Sequence, residues 1–242
     1  SAVPFGVMRI GTDQRVLDFK EKPPNPPAIP GRGQESLVNM GVYVFNTDAL
    51  VRAVIEDSKQ DTAHDFGKNV LPSLVQSGSA YAYPFEEDGT IAYWRDIGTL
   101  EGYFQAGMDF LQERAPFDLW DAKWPIRTYH PQLPPAWINA SDSKNARVES
   151  SLIGAGCRIN GQVFHSILSP GVEVGENARV ENSILFNDVK VGRGTRLSRT
   201  IVDKRIQIPS SFVIGENPDK DRSRFLVTDS GITVIPLGTL FD

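Results

Sequence analysis

The chain has 242 residues, of which 40% are hydrophobic and 23% charged, and its formal net charge is −5 at pH 7. That length suffices for two modest domains, and the mildly acidic balance argues against nucleic-acid binding, which calls for a basic face. No apolar run approaches the ~18 residues of a membrane-spanning helix, and no charged-then-apolar start suggests a signal peptide. The single cysteine, Cys157, excludes an internal disulfide and indicates a reducing compartment.

The first part of the chain alternates strand-like and helix-like segments. It opens on SAVPFGVMRI, a strand-like run without Met or a capping signal, which predicts that the sequence starts inside a domain of a longer protein. The apolar run VNMGVYVF (38–45) predicts a buried strand. The segment 47–59 predicts a helix capped by Thr47, and a second helical stripe follows Asp65, with Pro72 at its start or kink.

Two more strand-like segments, 80–85 and 91–97, and an amphipathic helix from Thr99 complete this part. Strands that alternate with helices predict an α/β layer. The stretch between 114 and 142 is rich in Pro and Trp, which predicts a linker without regular structure. The predicted domains are therefore 1–115, a linker 116–145 and a second domain 146–242.

The second domain repeats one phrase every seventeen residues: SILSPGVEVG (166–175), SILFNDVKVG (183–192) and TIVDKRIQIP (200–209). Gly175, Gly192 or Pro209 ends each copy, and a weaker copy precedes them at Leu152 and Ile153. The aliphatic residues fall into three registers: Ile167, Ile184 and Ile201; Val172, Val189 and Ile206; and Val174, Val191 and Ile208.

This repeat is typical of a parallel β-helix built from hexapeptides. Three hexads make a coil of ~18 residues, and stacked coils share a core because no single strand can bury its aliphatic residue alone. Glu173, Lys190 and Gln207 take the alternating outward positions. An antiparallel sandwich with accidental similarity is the alternative, and three copies in register favour the β-helix.

Three polar segments interrupt the apolar pattern of the first part. Pro23 predicts extended geometry for Lys22. The Lys22 ammonium could then meet a phosphate as a point charge, although a solvated surface loop is the simpler explanation of this segment. Asp65 fits a helix N-cap and could equally bind sugar hydroxyls. Asp96 is predicted at the carboxyl end of a strand, where a carboxylate suits Mg²⁺, and the alternative is a surface pair with Arg95.

Together these motifs resemble the bacterial and plant ADP-glucose pyrophosphorylases (glucose-1-phosphate adenylyltransferases) over nearly the whole chain. The EKP and strand motifs are shared by sugar nucleotidyltransferases as a class, whereas YWRDIGT followed by WPIRTY and hexads is similar to this family specifically. The matching motifs appear in family order: FGVM, FKEKP, MGVYVF, HDFGK, YWRDIGT, WPIRTY, LPPA and VIGEN.

The resemblance implies a fold, a reaction and a site. The fold is part of a Rossmann-like α/β nucleotidyltransferase domain followed by a left-handed parallel β-helix, its handedness resting on the resemblance alone. The reaction is the transfer of AMP from ATP to glucose 1-phosphate, with Mg²⁺. Lys22 and Asp96 are the implied catalytic residues: Lys22 grips the sugar phosphate and Asp96 is one of two metal-binding aspartates. The implied substrate-binding residues are Gly6, Glu21, Lys22, Asn39, Tyr43, Asp65, Phe66 and Trp94.

Two departures qualify the resemblance. The family commonly has a serine where this chain has Asn39, which puts sugar selectivity in doubt. The family's Gly-rich nucleotide loop (G-G-x-G-T-x-L) and its first metal aspartate do not occur, so the expectation is that the chain alone is inactive and that ATP binding needs a preceding part.

The resemblance also implies a homotetramer, pockets for allosteric metabolites, and a bacterial cytoplasmic or plant plastid location. Two alternatives remain: a non-catalytic regulatory subunit of the same family, and a hexapeptide acyltransferase, for which His165 is the candidate catalytic residue.

Overall fold

A computed structural model describes residues 5–30, 35–87, 90–139 and 146–241. The chain divides into two compact units, Ser1–Trp94 and Arg95–Asp242. No helix within the described ranges is long and apolar enough to cross a membrane.

The first unit contains a small antiparallel sheet in which β1 (Val7–Ile10) lies between β2 (Val16–Lys20) and β3 (Leu37–Val38). A separate antiparallel pair joins β4 (Glu86–Glu87) and β5 (Thr90–Ile91). The other regular elements among the described residues of this unit are the helices α1 (Thr47–Ser58) and α2 (Leu71–Gln76), with a π-helical turn (Phe66–Val70) between them.

The strand predictions for this unit were mostly wrong. Only Leu37 and Val38 pair as β3, and beyond them Val42 and Val44 are 74% and 99% exposed. Tyr81 makes one isolated bridge to Arg15, and residues 92–97 form no strand. A strand persists only where a neighbour takes its backbone hydrogen bonds, and the described part of this unit supplies partners for two to five residues at a time.

Both helices form where predicted, with one cap displaced. Asn46, rather than Thr47, caps α1 by accepting a hydrogen bond from the Asp48 amide. Asp65 caps the π-helical turn through the Lys68 amide, as expected, and Pro72 stands in the first turn of α2.

The second unit contains helix α3 (Leu100–Asp109) and a parallel β-helix. Thr99 caps α3 as predicted, its side chain accepting from the Gly102 amide. This helix falls in the same compact unit as the β-helix, and the domain boundary at 115 stays a prediction.

Three parallel sheets form the faces of the β-helix. The first contains β7 Arg147–Glu149, β10 Gln162–Phe164, β13 Arg179–Glu181, β16 Arg196–Ser198 and β19 Val213–Ile214. The second contains β8 Leu152–Ile153, β11 Ile167–Leu168, β14 Ile184–Leu185, β17 Thr200–Val202 and β21 Thr233–Ile235, with β20 Leu226–Val227 antiparallel at its edge. The third contains β6 Trp137–Ile138, β9 Arg158–Ile159, β12 Glu173–Val174, β15 Lys190–Val191 and β18 Gln207–Ile208. A short helix, α4 Pro218–Asp221, precedes β20.

Two of the three predicted registers are confirmed by the strand pairing. Ile167 pairs with Ile184, which pairs with Ile201, and Leu152 of the weaker copy pairs with Ile167. Val174 pairs in the same way with Val191. The β-helix is therefore confirmed, and its left-handedness stays a prediction. Strand β6 pairs with β9, so the β-helix begins within the predicted linker 116–145.

Each of the three repeat copies begins with a small residue, an isoleucine and a Leu or Val (Ser166–Leu168, Ser183–Leu185 and Thr200–Val202). Each position of this triplet has its own environment. The third residue (Leu168, Leu185, Val202) is buried in the interior of the β-helix. The middle residues Ile184 and Ile201 lie on the outer side of their strands and are buried against Phe104 and Met108 of α3. Successive side chains of a strand point to opposite faces, so both can be apolar only because a helix covers the outer one.

The small residues of the triplets (Ser166, Ser183 and Thr200) form a ladder of hydroxyls at the corner between the first and second sheets. Ser166 Oγ donates to the Phe164 carbonyl and accepts from the Ser183 amide at 3.1 Å, and Ser183 Oγ accepts in the same way from Thr200. A buried backbone amide needs an acceptor, and a hydroxyl supplies one without filling the corner.

Candidate functional site

Eight of the nine predicted site residues lie in the first unit, and the ninth, Asp96, lies in the second. In the first unit, the residues that follow β2 and β3 and those of the π-helical turn bring several of the predicted site residues together. Some of these contacts are direct, and others pass through one neighbouring residue.

Glu21 lies against two glycine backbones at the end of β2. A Cβ placed on Gly6 would be 2.8 Å from Glu21 Oε2, and one on Gly67 would be 2.9 Å from the same oxygen and 3.3 Å from Asp65 Oδ1. Any side chain at either glycine would therefore displace the carboxylate. Gly67 was not predicted as a site residue, although it stands inside HDFGK.

Lys22 follows in an exposed turn, and its amide donates to the Phe5 carbonyl at 3.2 Å. Its φ is +47°, so the prediction of extended geometry was wrong. Pro23 does disfavour right-handed helix at Lys22, but the bond to Phe5 holds the residue in the left-handed region instead.

Asn39 connects two parts of the cluster. Its amide donates to the Gly6 carbonyl at 2.8 Å, its Oδ1 accepts from the Gly41 amide at 3.0 Å, and its Nδ2 donates to the phenol oxygen of Tyr43 at 2.7 Å. The Tyr43 ring stacks on Phe66, with centroids 5.9 Å apart and an interplanar angle of 16°.

Phe45 completes an aromatic group that the sequence motifs did not single out. Its ring centroid lies 6.0 Å from that of Tyr43 and 6.1 Å from that of Phe66. Trp94 contacts the same unit's Phe5 edge-on, at 5.3 Å. Partly exposed aromatic rings beside polar groups are suited to a ligand that has both an apolar face and hydroxyls.

Asp96 begins the turn that leads into α3. Its Oδ1 accepts from the Gly98 amide at 2.9 Å, and its side chain is exposed. The alternative of a surface pair with Arg95 is not what the structure shows, because the Arg95 guanidinium binds the buried carboxylate of Asp109, with Nε–Oδ2 at 2.7 Å. Asp96 does not end a strand, contrary to prediction.

The described residues contain no group of three or more His, Cys, Asp or Glu side chains that could hold a metal ion. A single carboxylate is still compatible with Mg²⁺, which keeps most of its waters and takes one or two protein carboxylates together with substrate phosphates. Asp96 fits such a ligand by its chemistry and exposure.

His165, the candidate of the acyltransferase alternative, occupies a corner of the β-helix. Its φ is +43°, and its amide donates to the Glu149 carbonyl at 3.0 Å. Asn182 and Arg199 occupy the equivalent corners of the next two coils, also with positive φ. The position of His165 is thus one that the coil geometry repeats.

Comparison with known proteins matches both units. A family described as nucleotidyl transferase matches residues 1–113, and one described as GlmU-like, C-terminal hexapeptide matches residues 134–235. The chain is 41% identical over 241 residues to a glucose-1-phosphate adenylyltransferase of Photobacterium profundum, which covers 97% of this chain.

A second relative, glucose-1-phosphate adenylyltransferase 2 of Vibrio cholerae serotype O1, is 44% identical over 239 residues and covers 96% of the chain. The resemblance to the glucose-1-phosphate adenylyltransferases is thereby confirmed. A nucleotidyltransferase region followed by a hexapeptide region is also confirmed as the fold. The chain spans 60% and 59% of the length of these two adenylyltransferases.

Proposed function

We propose that this chain forms the sugar-phosphate side of a glucose-1-phosphate adenylyltransferase, which transfers AMP from ATP to glucose 1-phosphate and releases pyrophosphate. The observation that carries the proposal is the contact group around Glu21, Asn39, Tyr43 and Asp65, combined with relatives of that name along 96–97% of the chain.

In this reaction an oxygen of the sugar phosphate attacks the α-phosphorus of ATP, and the bond to the pyrophosphate oxygen breaks. Positioning and charge neutralisation supply most of the rate in such transfers. Lys22 carries a charge suited to holding the phosphate of glucose 1-phosphate, and the carboxylates of Glu21 and Asp65 can accept hydrogen bonds from sugar hydroxyls.

Asp96 would hold Mg²⁺, which when bound neutralises charge on the reacting phosphates. The exposed carboxylate of Asp96 is kept in one orientation by the Gly98 amide, which supports this role.

A homotetramer, allosteric metabolite effectors and a bacterial cytoplasmic location complete the proposal. The bacterial origin of both relatives supports the bacterial location over a plastid.

The test is binding of glucose 1-phosphate to the 242-residue chain, measured by calorimetry or saturation-transfer NMR. Lys22→Ala and Lys22→Gln should both weaken binding by at least about tenfold, because the charge rather than the length of the side chain holds the phosphate. The matched control is Lys20→Ala, which removes a nearby exposed ammonium paired with Asp18 and should change binding less than about twofold. Equal losses at Lys20 and Lys22 would contradict the assignment.

A further inference from the structure

The most informative contact in the candidate site is the hydrogen bond between Asn39 and Tyr43. The side-chain carboxamide of Asn39 makes two hydrogen bonds: its Oδ1 accepts from the Gly41 amide, and its Nδ2 donates to the Tyr43 phenol oxygen. A group used in this way is better placed to orient its neighbour than to bind a ligand itself.

The direction of this bond fixes what the Tyr43 phenol can do. An amide NH₂ can only donate, so the phenol oxygen is the acceptor at 2.7 Å. The phenol's own hydrogen is then directed to a different acceptor. The ring, meanwhile, is stacked on Phe66 at 5.9 Å, which restricts its rotation.

The turn that carries both residues supports this arrangement. Gly41 has a φ of +72°, and its amide closes the turn onto Asn39 Oδ1. The backbone amide of Asn39 donates to the Gly6 carbonyl at 2.8 Å. Serine carries its donor and its acceptor on one oxygen, whereas the carboxamide of Asn39 carries them on two separate atoms, Oδ1 for the Gly41 amide and Nδ2 for the Tyr43 phenol.

We propose that Asn39 is a positioning residue that holds the Tyr43 phenol as a hydrogen-bond donor toward a hydroxyl or ring oxygen of the bound sugar phosphate. Tyr43 is the residue that touches the ligand, and Asn39 acts through it. The inference rests on the proposed function, because it names the role of two residues in the same site.

The test is a double-mutant cycle on glucose 1-phosphate affinity. Asn39→Asp keeps the oxygen that accepts from Gly41 but replaces the NH₂ by a second acceptor, so the phenol turns its hydrogen to the introduced carboxylate. The new charge would also repel the phosphate, and the same substitution in a Tyr43→Phe background measures that repulsion alone.

Asn39→Asp should weaken binding by at least about fivefold more in the wild-type background than in Tyr43→Phe, and Tyr43→Phe alone by about tenfold. Nuclear Overhauser contacts between the rings of residues 43 and 66 should persist in Asn39→Asp, which shows that the ring has kept its place. Equal losses in the two backgrounds, or loss of the ring contacts in Asn39→Asp, would overturn the inference. A wild-type chain that binds no glucose 1-phosphate would instead overturn the proposed function.

Discussion

Glu173 stands on the outer face of the third sheet, between residues of the neighbouring coils. Its carboxylate lies 2.7 Å from Arg158 Nη2 and 3.4 Å from Lys190 Nζ. Partial burial, the largest single influence, raises the pKa of this carboxyl, but the hydrogen bonds and charges of Arg158 and Lys190 together outweigh it. The pKa of Glu173 therefore lies below its ordinary value of 4.5.

This lowered pKa makes a small part of the stability depend on pH. Glu173 should contribute stability above about pH 4.5, the ordinary carboxyl value, and lose it as the pH falls through its folded value. Glu173→Gln should lower the free energy of unfolding by no more than about 0.5 kcal/mol at pH 7, because the Arg158 and Lys190 side chains that pair with it are more than half exposed.

The measurement is the difference in melting temperature between Glu173→Gln and wild type, followed from pH 7 to pH 3. The difference should shrink toward zero at the acid end. The exposed Glu113→Gln serves as the control. A difference that grows on acidification would contradict the ion-pair assignment.

For single residues of the candidate site, the sequence predicted which residues belong to the site but not which residues they contact. The motifs indicated Glu21, Lys22, Asn39 and Asp65, yet the role of Gly67 beside Glu21 depends on two chain segments meeting, which no local pattern records. The left-handed backbone of Lys22 was missed for the same reason, since it depends on a bond to Phe5.

At the scale of elements, helix α3 and the middle residues of the repeat form one apolar contact. Phe104 and Met108 are buried against Ile184, Ile201 and Ile232. Gly107 permits this closeness, because a Cβ there would lie 2.9 Å from Ile184 Cδ1 and 3.2 Å from Ile167 Cδ1. The helix thus lies across three successive coils.

Replacing one side chain on each face of β14 separates the two packing environments. Ile184→Ala and Leu185→Ala should each lower the free energy of unfolding by about 2–5 kcal/mol, because each removes a fully packed aliphatic side chain. Amide exchange should distinguish them: Ile184→Ala should speed exchange mainly in α3, and Leu185→Ala mainly in β11, β14 and β17. The same exchange pattern in both variants would contradict two separate environments.

The repeat was predictable because each coil reproduces the same local requirements. A hydroxyl, an isoleucine and an inward aliphatic recur at the spacing of one coil, so the three copies support one another within the sequence itself. The outward direction of Ile184 was not predictable, because the cover comes from a helix that is distant in the sequence. Strands predicted at 38–45 and 91–97 failed for lack of neighbouring strands in the described part of their unit.

Across the whole molecule, buried aliphatic side chains are unevenly distributed. In the described part of Ser1–Trp94 they are Val7, Val16 and Val70, whereas the rest lie in Arg95–Asp242. The first unit instead exposes apolar residues such as Val44 (99%) and Tyr83 (86%). Burial of apolar surface is the main stabilising term in folding, so the two units should differ in stability.

Thermal unfolding of the chain should therefore be non-two-state. A first transition of small enthalpy should belong to Ser1–Trp94, and a second, at higher temperature, to Arg95–Asp242. Differential scanning calorimetry combined with amide exchange would measure both. Leu185→Ala should lower only the second transition. One cooperative transition, with equal calorimetric and van't Hoff enthalpies, would contradict this prediction.

The hydroxyl ladder has a consequence for how the gene can change in length. The gain or loss of one residue inside a strand would shift the Ser166–Ser183–Thr200 column off its partners, whereas duplication of a whole coil would preserve every column. The corners between strands tolerate changes in length better than the strands do. Two residues separate β9 from β10 and four separate β12 from β13, yet β9 still pairs with β12 and β10 with β13. Between Ile214 and Thr233 the chain leaves the coil altogether, and this is where insertions and deletions should accumulate as such proteins diverge.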